Sequence, residues 1–184
     1  MTFSQLWPVI WEGTKETLYM TLWSGLFSYL LGLPLGVLLT ITKRDNILAA
    51  PTFNAVLGAI INFLRSIPFI ILLAMLFPVT RAVMGSAIGT RSIIFPLVMS
   101  AFPYVARMVE GSLEEVDRGI LEAAQSMGST NNQIIFKVLL PEAVPSLVNG
   151  AAIVMTTILA YTAMASAAGG GGLGALAITK GYQS

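Results

Sequence analysis

The sequence predicts an all-α protein that crosses a membrane several times as a polytopic helix bundle. Of its 184 residues, 55% are hydrophobic and only 10% are charged, whereas charged residues make up about 25% of an ordinary soluble domain. A transmembrane helix needs about 20 predominantly apolar residues, and the chain contains several such runs separated by polar segments. The fold class is therefore a membrane-embedded helix bundle with about four spans.

Four apolar segments qualify as spans. The first contains Pro34, which is expected to kink it because proline lacks the backbone N–H of a regular helix. The second is interrupted by Arg65, the third holds two prolines, and the fourth carries no charge. The predicted spans lie at about 17–42, 53–80, 92–109 and 147–168 of one domain that covers residues 1–184, and a polar loop lies at about 110–145.

Composition excludes most catalytic chemistry. The chain has no cysteine and no histidine, so disulfides, thiolate nucleophiles, imidazole bases and the commonest zinc ligands are absent. A net charge of +1 provides no basic field for nucleic acid. We therefore expect no catalytic residue, no metal site, no cofactor and no enzymatic activity.

The glycine-rich run GGGGLG at 169–174 has the spacing of a dinucleotide-binding motif. That motif requires a preceding strand and a following helix, and here the run follows a membrane span. No GK[ST] phosphate-binding sequence follows it either. ATP is therefore not expected to bind this chain in that way. The small residues from Ala160 to Gly174 suit close approach of the fourth span to other helices, and a merely flexible loop is the alternative.

The polar loop at 110–145 has the signals of two short helices. Asp117 is predicted to cap the first helix and Gly128 to end it in a left-handed turn. Thr130 and Gln133 have the spacing of a capping box at the start of the second helix, and Pro141 is expected to end that helix. The apolar face of the first helix fits either a protein-docking element or an amphipathic linker on lipid headgroups. That face comprises Ile120, Leu121, Ala124 and Met127.

Residues 122–141 read EAAQSMGSTNNQIIFKVLLP, which resembles the cytoplasmic EAA loop of type-I ABC importer permeases. In that family the loop is a coupling helix pair that sits in a groove of the ATP-hydrolysing subunit. The resemblance implies that this contact includes Glu122, Ala123, Ala124 and Gly128, with Leu140 and Pro141 completing the motif. Val138 stands where the family usually has isoleucine.

Further segments are similar to the methionine importer permeases of that family, namely ETLYMT, GLPLGVLL, FLRSIPFIILL, ARMVE, KVLLPEA and GGGGLG. The resemblance implies a multi-pass permease subunit of the inner or plasma membrane, which moves methionine by alternating access. Its expected partners are a second copy in a homodimer, two ABC ATPase subunits that hydrolyse ATP, an extracytoplasmic substrate-binding protein and membrane lipid. Another small amino acid, a short peptide, or a scaffold without transport remain alternatives.

Family members carry about one further span after the glycine-rich run, so the sequence, which ends at ITKGYQS, is expected to lack a final span. Lysines and arginines divide almost evenly between the two sides of the predicted membrane. The positive-inside rule therefore does not orient the chain. The resemblance implies that the polar loop is cytoplasmic.

Several residues inside the spans are candidates for the translocation pathway or its gate. A charge within a span marks a functional candidate, and Arg65, with Ser66 and Pro68, either serves the pathway or caps a helix break. Arg107 and Glu110 have the spacing of a structural ion pair on one helix. On the fourth span the pathway candidates are Tyr161, Thr162, Met164 and Ser166, and packing is the alternative role for Tyr161 and Met164.

Overall fold

The computed structural model describes residues 3–44, 46–166 and 168–182. Within these ranges all regular elements are helical, which confirms the predicted all-α class. A π-helical turn at Ile135–Leu139 joins the sixth helix to the seventh. In chain order the α-helices are α1 Phe3–Ile41, α2 Pro51–Ser66, α3 Phe69–Met84, α4 Thr90–Glu114, α5 Arg118–Ser126, α6 Asn131–Ile134, α7 Leu140–Glu142, α8 Val144–Ser166 and α9 Leu173–Tyr182.

Three helices in the described ranges, α1, α4 and α8, are long and apolar enough to cross a membrane. The pair formed by α2 and α3 is bent by 101° at its break and qualifies only together, as a broken span or a re-entrant loop. Four spans therefore result if the bent pair counts as one. Pro68 explains the break because it has no backbone N–H and disfavours helical geometry at the residue before it. Ala167, which falls in the fourth predicted span, lies outside the described residues.

The first helix is much longer than the charge-free run that predicted it. It begins at Phe3 and continues without interruption through Pro34. Its charged first part is compatible with a helix because Lys15 and Glu12 pair one turn apart at 2.8 Å. The start predicted at residue 17 marks the edge of the apolar surface and not the start of the helix.

The chain forms two compact units. Unit 1 comprises residues 1–28, 66–101 and 154–184, and unit 2 comprises 29–65 and 102–153. The core of unit 1 gathers apolar side chains from α1, α3, α4 and α8. These are Met20, Phe69, Leu73, Ile93, Leu97 and Ala165.

The glycine-rich connection in unit 1 is bound tightly to α1. Gly169 and Gly172 have φ angles of +89° and +92°, a backbone region that residues with a Cβ rarely adopt. The N–H of Leu173 donates to the Thr17 hydroxyl at 2.9 Å. The run therefore forms an ordered start for α9.

In unit 2, α1 and α4 pack with their backbones in close contact. A Cβ added at Gly32 would lie 2.7 Å from the carbonyl oxygen of Phe102, and one at Gly36 would lie 2.6 Å from that of Ala106. Such small residues one turn apart permit close helix approach in membranes. Next to this contact, a buried cluster of Leu39, Ile61 and Ala106 joins α1, α2 and α4.

Candidate functional site

The polar loop begins with α5, whose N-terminus has the predicted cap. The carboxylate of Asp117 accepts a 2.6 Å hydrogen bond from the N–H of Gly119. This bond satisfies one of the backbone donors that a helix leaves free at its first turn. The helix carries Glu122 and Ala123 on its exposed surface, and Ala124 is buried at 3% exposure.

The turn after α5 confirms the left-handed helix end predicted at Gly128. Its φ angle is +78°, and its N–H donates to the carbonyl of Gln125 at 2.9 Å. The N–H of Ser129 donates to the carbonyl of Ala124 at 3.1 Å. Together these two bonds form a Schellman motif. A Cβ at this glycine would meet no atom within 4 Å, so backbone conformation, and not space, favours glycine here.

The second helix of the loop also starts as predicted. The N–H of Thr130 donates to the side-chain oxygen of Gln133 at 2.9 Å, and the N–H of Gln133 donates to the Thr130 hydroxyl at 3.4 Å. The reciprocal bonds complete the capping box. The turn and both caps therefore fix the geometry of the helix pair.

The prediction that Pro141 ends this helix is wrong. After α6 the chain widens into the π-helical turn Ile135–Leu139 and then continues through α7, which contains Leu140 and Pro141. The proline therefore stands in the first turn of α7, directly after the π turn, a position in a helix that proline tolerates. The segment therefore runs on towards α8.

The surface of the helix pair carries large apolar side chains in solvent. Met127, from the predicted apolar face, is 79% exposed, and Phe136 of the π turn is 67% exposed. Ile120 is exposed as well. Exposed apolar groups on an otherwise polar segment are typical of a surface that binds another protein or a membrane.

Beside α5 lies a cleft of about 320 Å³. The turn after α1 contributes Asn46 and Ile47 to it, and α5 contributes Arg118, Leu121, Glu122 and Gln125. Glu122 therefore lies close to a turn about 75 positions earlier in the chain. Helical spacing and capping signals act between near neighbours and could not predict this proximity.

At the end of α4, the predicted pair of Arg107 and Glu110 is present at 2.6 Å. The structure adds a partner that the sequence did not reveal, because Lys43 lies 2.8 Å from the other oxygen of Glu110 and also pairs with Glu114. Arg107 donates a further bond of 2.9 Å to the carbonyl of Gly58. The Glu110 side chain is 6% exposed, so its carboxylate is buried. Lys43 and Glu114 lie at the surface end of the network.

The break between α2 and α3 agrees with one of the alternatives for Arg65, Ser66 and Pro68. Ser66 ends α2, and Pro68 precedes α3 in an extended conformation. The guanidinium of Arg65 lies over the ring of Tyr104, 5.6 Å from its centroid, within the range of a cation–π interaction. The arginine thus lies at a helix end and not in the middle of an unbroken span.

The same arginine lines a cavity of about 520 Å³ in unit 2. The cavity walls combine cationic, carboxylate, aromatic, amide, hydroxyl and thioether groups. Within the cavity wall, Ser146 donates to Ser112 at 3.1 Å. The chemically distinctive lining residues are Arg65, Tyr104, Arg107, Met108, Glu115, Ser146 and Asn149.

The candidates on α8 pack within unit 1. The ring of Tyr161 stacks on Phe69 with centroids 4.8 Å apart, and Thr162 is buried and donates to a backbone carbonyl at 2.7 Å. Ser166 is buried and donates to the carbonyl of Gly171 at 3.1 Å. Met164 is exposed. These contacts favour packing for Tyr161 and Ser166.

The chain matches the family described as binding-protein-dependent transport system inner membrane component over residues 32–184. It is 48% identical over 169 residues to the probable D-methionine transport system permease protein MetI of Vibrio cholerae serotype O1, covering 92% of this chain and 75% of the relative. Against the D-methionine transport system permease protein MetI of Escherichia coli K12, identity is 48% over 160 residues, covering 85% and 74%.

Solved structures agree with this assignment. An inward-facing conformation of the MetNI methionine ABC transporter contains a chain with 46% identity and a TM-score of 0.96, and the match covers 100% of this chain and 85% of that one. An amino acid ABC transporter with histidines shares the fold at 22% identity and a TM-score of 0.78, covering 97% and 83%. By sequence and by structure, the chain belongs to the binding-protein-dependent transport system inner membrane components, as a permease subunit of an ABC transporter.

Proposed function

We propose that this chain is the permease subunit of an ATP-driven importer for methionine. Relatives at 48% identity are named as D-methionine transport permeases, and a transporter with the same chain fold is named for methionine. The proposed complex contains a second copy of the chain, two ABC ATPase subunits and an extracytoplasmic binding protein. ATP is hydrolysed in the ATPase subunits.

The helix pair of the polar loop is the proposed contact with the ATPase. Its caps and Schellman turn hold two short helices in one arrangement, while Glu122 and Ala123 remain exposed. The apolar side chains of Met127 and Phe136 also face solvent, and their burial in a partner groove would stabilise docking. This exposed, rigid helix pair is the observation that carries the proposal.

The two ends of the same segment connect docking to the membrane helices. Ala124 packs inside, and Leu140 and Pro141 lie where the segment continues towards α8. A movement imposed on the helix pair by the ATPase would therefore reach α4 at one end and α8 at the other. In alternating access, ATP state and gate state bias each other reciprocally, with a coupling of about 1–3 kcal/mol.

The proposed substrate pathway includes the cavity at Arg65. A guanidinium can bind a carboxylate through paired hydrogen bonds, and Met108 and Ile153 offer apolar surface in the same cavity. An amino acid with a thioether side chain matches this combination, because its charged head and its apolar tail find complementary groups.

Uptake into vesicles tests the proposal. The chain is reconstituted with its cognate ATPase and binding protein, and uptake of labelled L- and D-methionine is measured with ATP, with ADP and with an alanine competitor. We expect ATP-dependent uptake that unlabelled methionine abolishes and alanine does not. Uptake that is independent of ATP would contradict an ABC importer, and ATP-dependent uptake of alanine alone would contradict the substrate.

A further inference from the structure

The ion network at the end of α4 joins three elements of unit 2. Each carboxylate oxygen of Glu110 has its own cation, Lys43 at 2.8 Å and Arg107 at 2.6 Å. Arg107 also donates to the backbone carbonyl of Gly58 inside α2, and Lys43 reaches Glu114 as well. The turn after α1, the middle of α2 and the last turns of α4 are therefore linked through charged groups.

One end of this network lies directly before the proposed ATPase contact. Arg107, Glu110 and Glu114 occur at i, i+3 and i+7, and therefore share one face of α4. Glu114 is the last residue of α4, and Asp117 caps α5 three residues later. A displacement of the helix pair would therefore act on the network after only a short connection.

The other end lies in a polar corner that we define as residues 40–44 and 46–54. The side-chain amide of Asn54 donates to the carbonyl of Leu39 at 2.5 Å and to the hydroxyl of Thr42 at 2.9 Å. The amide of Asn46 donates to the carbonyl of Thr40 at 2.9 Å. These bonds cap the end of α1 and join it to α2, so Lys43 is attached to an ordered corner.

Charged contacts constrain this arrangement in a way that the apolar contacts do not. The cluster of Leu39, Ile61 and Ala106 holds α1, α2 and α4 together. It does not fix their relative positions, because hydrophobic stabilisation depends on the buried area and has no preferred direction. A buried carboxylate separated from its cations loses compensation for its desolvation. Sliding the corner along α4 would therefore break the pairs of Glu110 before it exposed much apolar area.

We propose that Glu110 is a positioning residue that makes the corner and the polar helix pair move as one body during transport. The inference rests on the proposed coupling function. It assigns the network a role beyond holding α4 in place, since it carries movement of the ATPase contact to α1 and α2. In this proposal Lys43 and Arg107 remain paired with Glu110 in every state of the transport cycle.

Cross-linking tests the one-body movement. The chain contains no cysteine, so Lys43→Cys with Glu114→Cys introduces a unique pair, which a flexible bismaleimide can join. Before cross-linking, we expect methionine uptake per ATP hydrolysed to fall at least about fivefold, because the corner has lost its lysine. Cross-linking restores that ratio, whereas capping both thiols with N-ethylmaleimide does not. Failure of the cross-link to restore it, or its blocking of uptake, overturns the inference.

A second variant separates positioning from folding. Replacing the network with apolar residues, in the triple variant Lys43→Leu, Arg107→Met and Glu110→Leu, leaves no buried charge without a partner, and such replacements commonly preserve folding. We expect a folded complex that binds the ATPase but shows the same loss of uptake per ATP. Glu12→Gln, which removes an exposed pair with Lys15, is the matched control. Normal coupling in the triple variant overturns the inference.

The unsubstituted complex distinguishes this inference from the function on which it rests. If that complex shows no ATP-dependent uptake of methionine, the proposed function fails first. If it transports and both network variants also transport with normal coupling, the proposed function stands and the positioning role of Glu110 alone is rejected.

Discussion

The backbone N–H of Gly172 donates a 2.6 Å hydrogen bond to the carboxylate of Glu16, 156 positions earlier in the chain. The bond places a negative charge at the start of α9, where the free N–H groups and the helix dipole favour an anion. Close packing against α1 also favours glycine at position 172, since a Cβ there would lie 2.6 Å from the Thr17 hydroxyl. The spacing of a nucleotide-binding motif here serves packing between helices.

Removal of this charge is expected to destabilise the chain. Glu16→Gln loses the interaction with the helix dipole and should lower stability by about 0.3–1 kcal/mol. Gly172→Ala should cost more, because it adds strain at a positive φ to a steric overlap. Thermal unfolding in detergent, followed by size-exclusion fluorescence, measures both changes. Glu12→Gln is the control, and equal melting temperatures for all four proteins would contradict the packing role.

The turn at Gly128 gives a prediction for coupling. Gly128→Val forces a β-branched residue into a left-handed conformation, at a cost of about 1–2 kcal/mol, although no atom blocks its Cβ. We expect lower uptake and lower stimulation of the ATPase by the binding protein. Gly128→Asn should retain most of both activities because asparagine tolerates this conformation. Equal losses in the two variants would show that backbone conformation is not the reason for glycine.

The capping box predicts a smaller, graded effect. Thr130→Ala removes the acceptor for the N–H of Gln133 and should destabilise the second helix of the pair by about 0.5–2 kcal/mol. Thr130→Ser keeps the hydroxyl and should behave like the unsubstituted chain. Affinity for the isolated ATPase subunit, measured by microscale thermophoresis, provides the comparison. An alanine variant that binds as tightly as the serine variant would argue against a preorganised docking surface.

The cavity predicts that charge at position 65 affects transport and not docking. Arg65→Met removes the guanidinium near Tyr104, and we expect a higher KM for methionine uptake with unchanged ATPase binding. Arg65→Lys keeps a cation but not the planar pair of donors, so an intermediate KM is expected. If both variants lower kcat alone at an unchanged KM, the arginine does not contact substrate.

Close contact between α1 and α4 predicts sensitivity to a single methyl group. Gly36→Ala places a Cβ 2.6 Å from the carbonyl of Ala106 and from the side chain of Val109. Such overpacking costs about 1–3 kcal/mol, so the melting temperature of the complex should fall. Gly181→Ala is the matched control, since a Cβ there meets no atom within 4 Å and favours the helix. A fall in both variants would point to a general effect of glycine replacement.

Local features of the candidate site were predictable because their causes lie within a few residues. The Asp117 cap, the left-handed Gly128 and the Thr130–Gln133 box each depend on hydrogen bonds between neighbours. The prediction that Pro141 ends the second helix was wrong because it depended on the conformation of the residues just before the proline. A π-helical turn before it changed which carbonyls needed partners, and no residue preference marks such a turn reliably.

Sequence alone determined the membrane class, the helical fold and the two short helices of the polar loop, since hydropathy, periodicity and capping act over one or two turns. The tertiary structure decided which distant groups meet. Lys43 with Glu114, Arg107 with the Gly58 carbonyl, and Glu16 with Gly172 are separated by 71, 49 and 156 positions. Such pairs form because helix packing brings polar groups of distant segments together, and the buried ones among them, such as the Gly58 carbonyl with Arg107, require a partner. Nothing in the local pattern of either segment specifies which partner that is.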